Sequence, residues 1–251
     1  MDTISAGATL ACFSEITGEK LNAARITGLL LDIAAGRGEG RELGQGSLRF
    51  ARSKGRPELS MSVKGMELPG YDPRGAYGMA LGYVTATRGA CHLRAYPISH
   101  EILRKPVATD RFSFAGKARI VKIAEDMNAV IDSLTACKFF FFGCSLEEYA
   151  SAYSAVTAFE TSAQDLLAAG ERIYFRERMM NAKCGFNSSD DVLPSRFFRE
   201  AGSSGDGIEI PPLCREEFLE VRSKYYRVRG LDSKGTPLSS KAGELDLEDL
   251  L

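Results

Sequence analysis

Apolar positions recur with a helical period along most of the chain. Ile26, Leu29, Leu30, Ile33 and Ala34 stand at i, i+3, i+4, i+7 and i+8, the stripe of an amphipathic helix with one buried face. The glycines of Gly36-Arg37-Gly38-Glu39-Gly40 end it. Leu10, Cys12, Phe13 and Ile16 predict a short helix before it, and Leu43, Leu48 and Ala51 another after it. The clearest stripe, Ile120, Ile123, Met127, Val130, Ile131 and Leu134, predicts a helix over residues 114–137. Ser145-Leu146-Glu147-Glu148 is a capping box that opens a further helix. Thr161 to Lys183 reads as a long helix stopped by Gly185. Arg215 to Arg229, carrying Phe218, Val221 and Tyr225, reads as a helix closed by Gly230.

Strand signals are sparse: Met61 to Lys64 is the best candidate, and fewer than five segments qualify, so the fold class is mainly α. Pro69, Gly70, Pro73 and Gly75 crowd residues 65–75, which predicts a loop. Asp72-Pro73-Arg74 has the form of a helix start, with Asp as cap and Pro in the first turn. The helix expected over 74–87 is rich in Gly, Ala and Tyr, and its small residues permit close approach of another backbone or of a cofactor. Residues 203–207 read as a flexible loop, and the end of the chain, from Gly235 to Leu251, as a loose acidic tail.

The 251 residues suffice for one large or two small domains. The formal net charge of -1 gives no electrostatic case for nucleic acid or an anionic membrane. The longest apolar burst, Lys138-Phe139-Phe140-Phe141-Phe142-Gly143, is far short of the roughly 20 residues of a spanning helix. The first residues lack a basic n-region, so a cytoplasmic protein is expected. None of the six cysteines is in C-x-x-C spacing. That argues against a disulfide framework and against a cluster or zinc site built within the chain. At least four of the six are expected to be small buried hydrophobes.

Few residues offer chemistry. His92, in Arg88-Gly89-Ala90-Cys91-His92-Leu93-Arg94-Ala95-Tyr96, reads as either a core or boundary histidine or a proton-transfer group; His100 reads as a surface residue at a helix start. Asp132 and Cys137, five apart at the end of the long apolar helix, read as a solvated carboxylate and a buried thiol, or as a pair placed at one helix end. Glu15 reads as a solvent-facing carboxylate of the first helix or as an acid/base group.

Six ordered stretches resemble aldehyde:ferredoxin oxidoreductases, tungsten-pterin iron–sulfur enzymes, in the C-terminal portion of that family. They are Asp2-Thr3-Ile4-Ser5-Ala6-Gly7-Ala8-Thr9-Leu10-Ala11, the Val63 to Gly75 loop, Thr87 to Tyr96, Asp132 to Phe139, Asp190 to Phe197, and Tyr225 to Asp232. The resemblance covers nearly the whole chain. It implies that residues 1–62 are the remainder of a helical middle domain and 63–251 a helical C-terminal domain. It implies an oxidation of aldehydes to carboxylic acids, with electrons leaving through a [4Fe–4S] cluster to ferredoxin.

In the family's Asp-x-x-Gly-Leu-Cys motif the Asp binds a pterin and the Cys is a cluster ligand, which implies a cofactor-binding Asp132 and a metal-ligating Cys137. Thr135 and Ala136 replace the Gly-Leu. His92 would be the proton donor or acceptor at the tungsten bis-pterin site, and Glu15 its acid/base partner. The tungsten is held by pterin dithiolenes, so no side-chain ligand is expected for it. The family's other three cluster cysteines precede the Asp-Thr-Ile-Ser segment as C-x-x-C-x-x-x-C, after the domain that cradles the pterins. The resemblance therefore implies a partner subunit or further domain that supplies both. A catalytically inactive remnant, or an interaction module on the same scaffold, is the alternative.

Overall fold

The computed structural model describes residues 1–203 and 209–250, so the loop expected at 203–207 lies, from residue 204 on, outside the described residues. The helices are α1 (Thr3–Thr17), α2 (Ala23–Ala35), α3 (Gly40–Leu43), α4 (Ser47–Ser53), α5 (Tyr77–Thr85), α6 (Ile98–Glu101), α7 (Lys117–Ser133), α8 (Leu146–Thr157), α9 (Ala163–Lys183), α10 (Arg215–Arg229) and α11 (Ser239–Glu244). Strand among the described residues is confined to two antiparallel pairs of two-residue strands, β1 (Ser62–Val63) with β2 (Met66–Glu67), and β3 (Gly202–Ser203) with β4 (Glu209–Ile210). The protein is mainly α, as the periodicity predicts. No helix of the described residues is long and apolar enough to cross a membrane.

Helices α1 to α4 enclose one apolar core of Leu10, Phe13, Leu29, Leu43, Phe50 and Leu59. Glu67, on β2, holds this layer to the hairpin. Its carboxylate accepts from the Ser47 N–H at the start of α4 (2.7 Å) and from the Ser5 hydroxyl of α1 (2.9 Å). The hairpin turns through Lys64 and Gly65, both at positive φ, the geometry a two-residue hairpin loop demands. The density of turn residues from 65 to 75 thus hides a strand, β2, paired to the one the sequence predicts.

The larger core is built on α5. All nine of its residues are buried, and a helix apolar on every side belongs inside. Its small residues admit protein, since a Cβ at Gly78 would stand 2.9 Å from Pro97 Cβ and 3.0 Å from the Glu101 carboxylate. That carboxylate accepts from the Gly78 N–H (2.7 Å), which caps α5, and pairs with the buried Lys117 ammonium (2.8 Å). Helices α7 and α9 touch along their length and come closest at Gly170, where a Cβ would lie 2.0 Å from the Asp126 carbonyl oxygen.

Two buried ion networks tie the elements together. Arg229 of α10 is fully buried and pairs with Glu125 (2.7 Å) and with Asp126 of α7. Glu125 also accepts from Tyr225 (2.5 Å) and from Thr85 of α5 (2.7 Å). Asp191 gathers Lys64 of the hairpin turn (2.6 Å), Arg178 of α9 (2.9 Å) and Tyr226 of α10 (2.8 Å). Burial works against its charge, but Arg178 and Lys64 together hold the Asp191 carboxyl below the usual range.

Four expectations are corrected. The tail is not loose: α11 follows a bridge between Leu231 and Pro237, and Ala242, Leu245 and Leu247 enter the main core. Only Cys12 and Cys91 are buried; Cys137, Cys184 and Cys214 are exposed and Cys144 is half-buried. Asp72 caps a helix start with Pro73 in its first turn, as expected, but that start is a separate 3-10 turn, Pro73–Gly75, and the helix expected over 74–87 is only α5, Tyr77–Thr85. Helix α7 stops at Ser133, short of Cys137, because Thr135 takes a left-handed φ of 53°.

Removing Arg229 leaves the buried Glu125 carboxylate without its cation and Asp126 with Lys122 alone (2.7 Å), and breaking a buried pair in this way costs about 3–5 kcal/mol. Urea denaturation of Arg229→Ala is expected to show a loss of that size; a loss below about 1 kcal/mol would mean the network holds nothing.

Candidate active-site wall

His92 lies in the coil that leaves α5. The coil is pinned at Gly89, whose φ is 112° and where a Cβ would meet the Val63 carbonyl oxygen at 2.5 Å. Only glycine allows the backbone so close to the hairpin. Asn181 and Glu177 of α9 hold the same coil from the other side, Asn181 Nδ2 donating to the Thr87 carbonyl (2.6 Å) and Thr87 Oγ1 to the Glu177 carboxylate (2.5 Å). The imidazole is half-buried, its ring centroid 5.7 Å from that of Tyr71. Neither ring nitrogen makes a hydrogen bond among the described residues. Burial, aided by the positive charge of Arg88, lowers its pKa below the ordinary 6.5, so the ring is neutral near pH 7.

Asp132 and Cys137 flank the end of α7. Asp132 is in the last turn of α7, and the Leu134–Ala136 turn carries only Cys137 out of the helix: the Thr135 N–H donates to the Asp132 carbonyl (3.1 Å) and the Ala136 N–H to the Ile131 carbonyl (3.1 Å). This left-handed exit is where a helix end prefers glycine. The family motif has glycine at the position of Thr135, and the structure supplies the reason. Asp132 is exposed and paired with Lys138 (2.9 Å); Arg94 stands 3.8 Å away, beyond hydrogen-bond reach. Arg94 in turn pairs with Glu177 (3.2 Å). The Cys137 thiol is exposed and unpaired among the described residues.

The histidine coil and the cysteine loop are therefore neighbours. Arg94, two residues past His92, faces Asp132. A run of rings makes a second link: His92 to Tyr71, Tyr71 to Tyr96 (6.3 Å) and Tyr96 to Phe139 (5.9 Å), two residues past Cys137. Glu15 is elsewhere engaged. Its carboxylate receives both terminal nitrogens of Arg196, one at 3.0 Å, and touches neither His92 nor Asp132 among the described residues. Arg94, Arg88 and Tyr71 escape a reading by residue type, although Arg94 and Arg88 both fall inside the histidine segment.

The donor set decides what could be held here. Asp132, in the last turn of α7, and Cys137, past the turn, are both exposed. Among the described residues no three His, Cys, Asp or Glu side chains gather as a metal site. One thiolate fits a cluster only as a single ligand among several.

Two measurements test this geometry. With only two histidines present, the imidazole titration of His92 by NMR is expected to have its midpoint below 6.5, and Arg88→Gln to move it upward; a midpoint above 6.5 would contradict the burial of the ring. Thr135→Gly is expected to raise stability by about 1 kcal/mol, because a β-branched residue in the left-handed region is strained. A lower melting temperature would mean that the turn is not held as described.

Comparison with known proteins bears on the family and the fold. Residues 1–247 match the family model described as aldehyde ferredoxin oxidoreductase, domains 2 and 3. The tungsten-containing aldehyde ferredoxin oxidoreductase of Thermococcus kodakarensis is 36% identical over 268 residues, which take in all of this chain and 44% of that protein. The protein of the same description from Pyrococcus furiosus is also 36% identical, over 99% of this chain and 43% of its own length. The chain thus spans less than half the length of these relatives. A solved structure, the active-site complex BamBC of benzoyl coenzyme A reductase with 1,5-dienoyl-CoA, shares the fold at a TM-score of 0.77 and 15% identity, covering all of this chain and 44% of that one. The chain belongs to the aldehyde ferredoxin oxidoreductase family, in the region of its second and third domains.

Proposed function

We propose that the chain is the C-terminal part of a tungstopterin oxidoreductase that converts aldehydes to carboxylic acids and passes electrons through a [4Fe–4S] cluster to ferredoxin. The observation that carries this reading is the adjacency of the His92 coil to the outward-facing Asp132 and Cys137, joined through Arg94 and the Tyr71–Tyr96–Phe139 rings. The rest of the site comes from an N-terminal domain or partner that brings the pterins and three further cysteines. Residues 1–62 and 63–251 are the two domains of this part, in a protein that works in the cytoplasm.

In this reading Cys137 gives one thiolate to the cluster and Asp132 binds pterin edges, for which its carboxylate must share or leave Lys138. When bound, the tungsten–pterin centre and the cluster supply the redox chemistry, taking two electrons from the aldehyde and releasing them singly. Water supplies the added oxygen, and oxidation of one aldehyde with it to the acid releases two protons along with the two electrons. His92, neutral near pH 7 and with both ring nitrogens uncommitted among the described residues, takes one up at a nitrogen. Tyr71 holds the ring in place. Glu15, as an acid/base partner, acts only once Arg196 lets it go.

A second reading, a catalytically inactive interaction module, draws on a different observation. The Asp132 carboxylate already has Lys138 as a partner, so it needs no cofactor to stay satisfied.

Co-expression with an N-terminal partner carrying C-x-x-C-x-x-x-C is expected to yield a brown complex containing tungsten and iron. Cys137→Ala should lower its iron content, and His92→Gln should leave metal content unchanged while reducing aldehyde oxidation on the order of 10²-fold or more. A colourless, uncomplexed chain would sink the enzymatic reading and favour the module.

A further inference from the structure

A cleft of about 590 Å³ opens between α4 and the coil from Phe186 to Ser195, and the hairpin residues Ser62 to Gly65 also line it. Its size lies within the roughly 300–1,000 Å³ usual for small-molecule sites. None of His92, Glu15, Asp132 or Cys137 lines it.

Most of the charges in this lining are answered inside the chain. Lys64 is paired with Asp191 (2.6 Å), and Glu58 with Arg56 (2.6 Å). The Asp190 carboxylate accepts from the Asn187 N–H (2.9 Å) and lies within reach of the Lys64 charge. Arg49 and Arg52 are different. Both are exposed, and neither has a hydrogen bond or a counter-ion among the described residues. They stand three apart on α4, so they share one face of that helix, the face that lines the cleft.

A hydroxyl chain adds a donor. Ser47 Oγ, Ser60 Oγ and Ser62 Oγ are linked in that order (2.8 Å and 2.9 Å). Three hydroxyl protons serve two hydrogen bonds, so one proton is left over at an end of the chain. Ser47 is fully buried, and its hydroxyl has no acceptor but Ser60 among the described residues. The chain therefore runs outward, and the spare proton is on Ser62, which is half-buried and lines the cleft.

We propose that this cleft binds a phosphate monoester with a small apolar body. A phosphoryl group of charge about −1.5 to −2 at pH 7, with three terminal oxygens, suits two guanidiniums and a hydroxyl donor. A lone carboxylate has the charge and the oxygens for one guanidinium only. Phe186 and Val192, 39% and 41% exposed, belong to the same lining and take the apolar body. The site does not depend on the assignment of the redox wall.

The test uses the 251-residue chain at constant ionic strength in chloride, with phenyl phosphate and inorganic phosphate as probes. Methyl NMR is expected to show a saturable shift of Val192 with phenyl phosphate. Inorganic phosphate is expected to bind on the order of tenfold more weakly, for want of the apolar body. Arg49→Gln and Arg52→Gln are each expected to weaken phenyl phosphate on the order of tenfold, as loss of a charged hydrogen-bond partner does. Their melting temperatures should stay close to that of the parent chain, since both side chains are exposed and unpaired. Arg41→Gln removes the same charge from α3, outside the cleft, and is expected to leave the affinity within about twofold. Lowering the pH below the second phosphate pKa of about 6 is expected to weaken binding, because the ligand loses charge while the guanidiniums keep theirs. No saturable shift at Val192, equal affinity for the two probes, undiminished affinity in Arg49→Gln and Arg52→Gln, or an equal loss in Arg41→Gln would each overturn the proposal.

Discussion

The arrangement of this protein hangs on one buried guanidinium. Arg229 is fully enclosed, and it faces two adjacent carboxylates, Glu125 and Asp126, on α7. A buried charge is tolerable only when its partners and hydrogen bonds are complete. Here Glu125 also takes hydrogen bonds from Tyr225 and Thr85, so the cluster fixes α10, α7 and α5 to one another in a single register. That register matters because two of these helices lead to parts of the candidate site. Helix α5 runs into the His92 coil, and α7 runs into the Asp132–Cys137 turn. If the cluster let α5 slide against α7, Arg94 would no longer face Asp132.

The site is accordingly made of ends rather than of faces. His92 sits where α5 has stopped, in a coil that Gly89 presses against the hairpin. Asp132 and Cys137 sit on either side of a left-handed turn where α7 stops. Both are held by packing beneath them and are open above, which suits residues offered to a group from another part of the protein. Glu15 does not share this setting, since Arg196 from the coil that follows α9 has captured it.

Much of the fold was legible because helices announce themselves by period. The Arg215 to Arg229 helix, the Ser145 capping box and the stripe from Ile120 to Ile131 all follow from local chemistry. What was not legible depended on contacts far apart in sequence. The acidic tail looks solvated because its apolar residues, Ala242, Leu245 and Leu247, are few and widely spaced, yet the core has room for all three. Helix α7 ends earlier than its apolar stripe because a left-handed residue ends a helix, and nothing in the name threonine gives its φ. Strand β2 is only two residues long and is paired through a turn, so period 2 never had room to show. Of the site, the candidate residues and their order could be read from motifs alone. Their proximity could not, because it passes through Arg94, Tyr71 and Tyr96, which carry no chemistry of their own.

In the proposed reading the Cys137 loop is an incomplete wall, open in this chain and covered by a further domain or partner. Thiol alkylation read by mass spectrometry tests that most directly. The account predicts that Cys137, Cys184 and Cys214 all react in the chain alone, and that addition of an N-terminal partner carrying the remaining cluster cysteines protects Cys137 selectively. Equal labelling of Cys137 with and without the bound partner would contradict it.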